Sequence, residues 1–281
     1  ARVAGTALRL FRPTFGKLFS HASERDGPNG VDRLDAEKTE AVVIRLADWS
    51  NTSHVVTFFT RDFGKIGTVA KGGKRLKGPF DSALDLLSAS RIVFLRKSSQ
   101  ALDILTEAAL INRFRPAPDS LSSFYAGCYI AELLAGLTED YDPHPKLYDT
   151  ARWALGRFAA GADVPLSLAR FELVALREIG QLPTFDVCIH CAEPLAVGSS
   201  SVFHVSQGGL LCAACQKQEY STQQIQAGTA ALMVRLSSGT DEMATRLTAS
   251  VQQLREMRRI LTDSLSETLG RQPKSLRFLQ F

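Results

Sequence analysis

Four of the chain's five cysteines fall within one short window, as C-x2-C-x20-C-x2-C: Cys188, Cys191, Cys212 and Cys215. No other pattern in the sequence restricts the fold as tightly. Two C-x-x-C knuckles at this separation can bring four thiolates to one point. Bonds of about 2.3 Å then complete a tetrahedron around Zn2+ and leave no open position for water. The metal is therefore expected to be structural rather than catalytic. The residues between the knuckles must fold back on themselves, and 202–205 (VFHV) and 209–211 (GLL) suit two short strands turned at 207–209. A pair of redox dithiols is the rival reading of the same spacing. His190 and His204 lie inside the motif, but four cysteines leave them unneeded as ligands. The fifth cysteine, Cys128, sits in a helical pattern and reads as a small buried residue rather than a nucleophile.

The chain around this module has 281 residues, 45% hydrophobic and 22% charged. That is ordinary globular composition, with room for two cores. No run approaches the ~18 apolar residues that a membrane-spanning helix needs. A net charge of +4 conceals segregation. Residues 39–115 carry twelve Lys/Arg against seven Asp/Glu, whereas 116–186 carry five against ten. A basic front followed by an acidic middle suits a polyanion-binding face on the front part.

Residues 1–38 read as a flexible extension. Their first 22 residues hold Arg2, Arg9, Arg12 and Lys17 with no acid, a composition resembling an organellar transit peptide, and DGPNG at 26–30 is a strong breaker.

Residues 39–115 change to short β-rich runs at 40–46, 54–60, 65–70, 91–96 and 101–111, with a weakly helical stretch over 79–90. Five strands with one helical insertion after the third predict a Greek-key barrel of the OB type, with an SH3-like barrel as rival. Such a barrel binds single strands through cations on the phosphates and aromatic rings on the bases. The densest basic run is KGGKRLKG at 71–78, with Lys71, Lys74, Arg75 and Lys77; Arg61 and Lys65 lie on the preceding turn. These six are the candidate nucleic-acid-contacting residues. Trp49 and Phe63, in flanking loops, are candidates for stacking, with barrel core the better reading for Phe63. The Walker spacing is absent, which excludes a P-loop nucleotide site.

Residues 116–281 form a helical domain around a zinc module at 186–218. Helices are expected over 120–138, 146–160, 166–180, 221–238 and 240–270. On the first, Leu121, Phe124, Cys128, Ala131 and Leu134 share one face. Arg255, Arg258, Arg259, Arg271, Lys274 and Arg277 form a second basic group, more simply read as a solvated helix face. His144 has no triad-like partners, and Asp140 with Asp142 lacks the further acids a metal-dependent nuclease needs. The chain is not expected to be an enzyme. The fold class is thus α+β multidomain, an OB barrel followed by a helical domain with an inserted four-cysteine zinc ribbon.

Four stretches, in order, resemble the RecO family of recombination mediators: TEAVVIR from Thr39; TRDFGKIGTVAKGGKRLK from Thr60; FELVALREIGQLPTFDVCIHC from Phe171; and LGRQPKSLRFL from Leu269. The departures are the extension at 1–38, Gly78 where a Ser usually closes the basic run, and a non-acidic loop at 49–51. The resemblance implies binding of single- and double-stranded DNA and annealing of complementary strands. It further implies cooperation with RecR in loading RecA on DNA coated by single-stranded-DNA-binding protein, in the RecF pathway, and binding of that coating protein's acidic C-terminal tail. It places the protein in the bacterial cytoplasm, at the nucleoid, with neither a membrane nor a small molecule as partner. An RNA-binding adaptor built from the same barrel and ribbon is the alternative.

Overall fold

The computed structural model describes residues 35–74, 80, 83–97, 101–117, 120–195, 201–216 and 224–279. Most of the expected extension therefore lies outside the described residues. Residues 35–38 belong to the first strand, which begins four residues before the boundary drawn from sequence.

Five strands close the N-terminal barrel: β1 (Asp35–Asp48), β2 (His54–Thr60), β3 (Gly64–Ala70), β4 (Ala89–Arg96) and β5 (Asp103–Asn112), in the order β1-β2-β3-β5-β4. Only β3 and β5 pair in parallel, and this is the closure of an OB-type barrel. β1 is long because it serves two neighbours. Its first half pairs with β4 and its second with β2, and an irregularity between Val43 and Arg45 bends it round the corner. Ala41 and Val43 point into the barrel core with Phe58, Ile66, Ile92 and Phe94. Val42 and Ile44 point the other way, into the core of the helical domain. The run AVVI is apolar at every position because both faces of the strand are buried. The helical stretch expected over 79–90 does not form where it is described: residues 83–87 make turns, with Leu84 and Leu87 buried, and β4 starts at Ala89.

The second domain contains α1 (Leu121–Leu137), α2 (Pro145–Ala159) and α3 (Val164–Glu178). The Ser120 side chain caps α1 and Asp163 caps α3, each accepting from a backbone N–H three residues on. Leu121, expected on the buried face, is 56% exposed at the first turn, while the middle of α1 is buried all round.

The zinc-type module then forms a four-stranded sheet, β6 (Thr184–Cys188), β7 (Ser201–His204), β8 (Gly209–Leu211) and β9 (Gln224–Ile225), in the order β6-β8-β7-β9. The β7–β8 hairpin is the one expected from the sequence. The flanking strands β6 and β9 have no such signal in their residues. Gln224 and Ile225 pair with β7, so the following helix α4 (Ala227–Ser238) starts later than expected.

The predicted 240–270 helix is two helices, α5 (Asp241–Thr245) and α6 (Val251–Leu269). The break has a local cause. The Ser250 hydroxyl accepts from Gln253 N at 3.2 Å while Gln253 Oε1 accepts from Ser250 N at 2.9 Å. This reciprocal capping box starts a new helix instead of continuing the old one. A 3-10 turn (Lys274–Phe278) follows α6.

Candidate nucleic-acid interface and metal centre

β6 ends on Cys188 and β8 ends one residue before Cys212, so each knuckle hangs from a strand end. The four sulfurs lie within 4.8 Å of one another, with Cys191 and Cys212 3.8 Å apart. Four ligands at about 2.3 Å from one ion stand about 3.8 Å from each other on the edges of the tetrahedron. The donor set therefore fits a single tetrahedral metal ion. Backbone N–H groups converge on Cys188: burial opposes its ionisation, but the N–H groups of Cys191, Cys212 and His190 outweigh it and bring the thiol down to about 6. Cys215 is pushed up to about 12, first by its hydrogen bond with Cys212, as expected when thiols share protons in one cluster. Two adjoining core residues, Phe203 and Leu210, belong to the core of the helical domain, so the module is built into that core. Cys128 is buried and its thiol is raised to about 12 by that burial, an inert position.

The six candidate DNA contacts separate into three groups. Arg75 and Lys77 lie outside the described residues. Lys71 and Lys74 stand on the loop after β3, against the loop joining β1 and β2. Lys74 N donates to Thr52 O at 3.2 Å, and the Lys74 ammonium pairs with Asp48 at 3.1 Å. Trp49, Ser50, Thr52, Ser53, Val69, Lys71 and Gly72 line an open depression between these loops. Trp49 is 61% exposed there, a large aromatic face offered to solvent beside cations. Phe63 instead packs edge-on against Phe94 at 5.5 Å, next to the barrel core.

Arg61 and Lys65 turn away from this face and hold the barrel to the helical domain. The Arg61 guanidinium makes a two-point contact with Asp149 on α2, at 3.0 and 3.1 Å. Lys65 Nζ donates to the Ala135 and Thr138 carbonyls at 3.1 and 2.6 Å and pairs with Asp140 at 3.4 Å. A cation on the last carbonyls of α1 also meets the negative end of its dipole. Gly64 between them has φ +67, and a Cβ there would collide with the Asp142 carbonyl. The TRDFGK turn is thus spent largely on docking, which spacing alone does not reveal. Asp149 and Asp140, from the acidic middle, are the signal that could have found it.

The second basic group is divided in the same way. Arg258 is drawn into a buried cluster with Glu172 and Tyr129, and Arg271 pairs with Glu132 at 3.1 Å. Arg255, Arg259 and Arg277 are exposed. Arg170 and Arg177, which composition does not single out, cap the C-terminal carbonyls of α4 through Gly239 O at 2.9 Å and Ser237 O at 2.6 Å. His144 pairs with Asp142 at 3.1 Å. Among the described residues no helix is long and apolar enough to cross a membrane.

Comparison with known proteins matches both halves of this structure. The family model described as "Recombination protein O N terminal" covers residues 34–114, and "Recombination protein O C terminal" covers residues 118–277. The DNA repair protein RecO of Rhodopirellula baltica is 39% identical over 180 residues, 64% of this chain and 67% of that protein. That of Anaeromyxobacter dehalogenans is 31% identical over 246 residues, 88% of this chain and 96% of that protein. That of Bacillus pumilus is 29% identical over 248 residues, 86% of this chain and 93% of that protein.

Proposed function

The chain belongs to the RecO family of DNA repair proteins, and on that premise we propose that it binds DNA through its barrel and anneals complementary strands without bond-making chemistry. The observation that carries the proposal is the loop pair at one end of the barrel, where Lys71 lines one depression with the exposed Trp49 ring and Lys74 stands on the same loop, paired with Asp48. Lysines there neutralise phosphates of both strands, releasing counterions and lowering the repulsion between them. Trp49 stacks on an unpaired base and keeps it open to its complement. Arg75 and Lys77 continue the same basic run in the sequence.

Several further parts of the reading rest on the family resemblance. The protein works with RecR to load RecA on strands covered by single-stranded-DNA-binding protein, in the RecF pathway, and it engages the acidic tail of that coating protein. It does so at the nucleoid of a bacterial cytoplasm. Zn2+ is the metal for the four thiolates: Cys188, Cys191, Cys212 and Cys215 would hold it, and it would supply a crosslink between the two knuckles rather than a reactive site.

The test is the rate at which purified protein anneals two complementary oligonucleotides at moderate salt without ATP. Acceleration over the spontaneous rate is expected. No acceleration by folded, metal-loaded protein would contradict annealing, and a preference for RNA in the same assay would favour an RNA-binding adaptor instead.

A further inference from the structure

Asp48 closes β1 and His54 opens β2, and the two residues stand directly opposite in the ladder. One oxygen of Asp48 serves two cation-type groups. It lies 3.3 Å from His54 Nδ1 and 3.1 Å from Lys74 Nζ. Exposure of the three side chains is uneven. Those of His54 and Lys74 are 17% and 27% exposed, whereas that of Asp48 is 77% exposed. The nitrogen donors are recessed and the carboxylate stands outside them.

The donors are also held in place. Gly73 N donates to Ala70 O at 3.3 Å and Lys74 N to Thr52 O at 3.2 Å, which fixes the loop after β3 against the β1–β2 loop. Gly73 packs on the His54 ring so closely that a Cβ would come within 3.2 Å of ring carbon Cδ2. His54 Nδ1 is sealed from solvent, and Asp48 meets it at ion-pair distance without hydrogen-bond geometry. A carboxylate therefore fills this place imperfectly. A phosphodiester, with two free oxygens set tetrahedrally, can give one to Lys74 Nζ and the other to His54 Nδ1–H.

We propose that Lys74 and His54 form a phosphate subsite for a nucleic-acid backbone, and that Asp48 occupies it as an internal stand-in until a strand displaces it. The proposal rests on the reading of this barrel face as the DNA surface. Trp49, adjacent in sequence, would take the base while the displaced Asp48 swings into solvent. The carboxylate then acts as a threshold. An isolated phosphate has to compete with an anion that is already present, and a strand overcomes it by engaging Lys71 at the same time. Asp48 thus trades affinity for discrimination against small anions.

The experiment is fluorescence anisotropy with a labelled 30-nucleotide oligo(dT), across a salt series, for the full chain and for Asp48→Asn, Lys74→Gln and the double variant. Asp48→Asn is expected to tighten binding about two- to fivefold near 0.1 M salt, the range that an exposed ion pair supports. It should also steepen the dependence on salt. In the Lys74→Gln background the same substitution should gain less than half as much. Asp48→Ser, differing in shape, should act in the same direction if charge is the cause. Binding that is unchanged or weaker in Asp48→Asn and Asp48→Ser, both folded by thermal melting, would overturn the stand-in. An equal gain with and without Lys74 would overturn it too, since Asp48 would then act only as general negative charge. If the unsubstituted protein fails to bind the oligonucleotide, the barrel reading itself falls and the subsite with it.

Discussion

Glu132 on α1 shows how much one charged residue can hold. It is buried, yet its two oxygens accept from Lys274 N at 2.8 Å, Ser275 N at 2.9 Å, Ser275 Oγ at 2.5 Å and Arg271 Nη1 at 3.1 Å. Burial alone would raise its pKa, but the hydrogen bonds from Ser275, from the Lys274 and Ser275 backbone and from Arg271 outweigh that and lower it. A carboxyl depressed in the folded state stabilises the protein above its unfolded value, about 4.3, and that contribution is lost as pH falls through the folded value. Glu132→Gln should therefore cost about 2 kcal/mol at pH 7, in the range of hydrogen bonds to charged groups. The difference from the unsubstituted protein should shrink as pH falls below about 4. Urea unfolding at a series of pH values checks both, and a penalty independent of pH would show that shape rather than charge anchors the C-terminal segment. Nothing in the local sequence around Glu132 announces this role. Its donors come from residues nearly half the chain away, so only the fold pairs them.

At the scale of elements, legibility follows the range of the forces involved. The C-x2-C pairs and the β7–β8 hairpin are visible in the sequence because their geometry is set within a few residues. So are α1 to α3, each with its own cap or breaker. The split between α5 and α6 is equally local, in the Ser250–Gln253 capping box, but an apolar period running through it hides the signal. The TRDFGK turn misleads for the opposite reason. Its cations look free in sequence, and the acids and helix-end carbonyls that engage them are 70 to 88 residues distant. The zinc-type module also joins the helical core through Phe185, Phe203 and Leu210, so its loss should be felt there first. Structural zinc contributes on the order of 10 kcal/mol to folding in small domains. Cys188→Ser combined with Cys191→Ser is expected to lower the melting temperature by more than about 5 °C. Binding of oligo(dT) at low temperature by the folded protein should stay within about twofold. Calorimetry and anisotropy on the same preparation check the two halves, and an unchanged melting temperature would contradict a structural metal.

Over the whole molecule, charge is arranged by domain. The basic front and the acidic middle meet along one seam, where Arg61 with Asp149 and Lys65 with Asp140 close the barrel onto the helices, with Arg152 and Glu40 as a pair of reversed sense beside them. Part of the positive charge read from sequence as DNA-binding is consumed there. Among the cations left, Lys71 lines the depression with the exposed Trp49 and Lys74 pairs with the adjoining Asp48, and this grouping is the physical basis for the proposed DNA face. The most direct test is the salt dependence of oligo(dT) binding when Lys71, Lys74, Arg75 and Lys77 are all changed to Glu. Affinity should fall at least tenfold near 0.1 M salt, and the slope of log K against log salt should flatten by two or more, since each lost phosphate contact removes about 0.7. A folded quadruple variant that keeps the original affinity and slope would contradict the assignment and leave this loop a bystander.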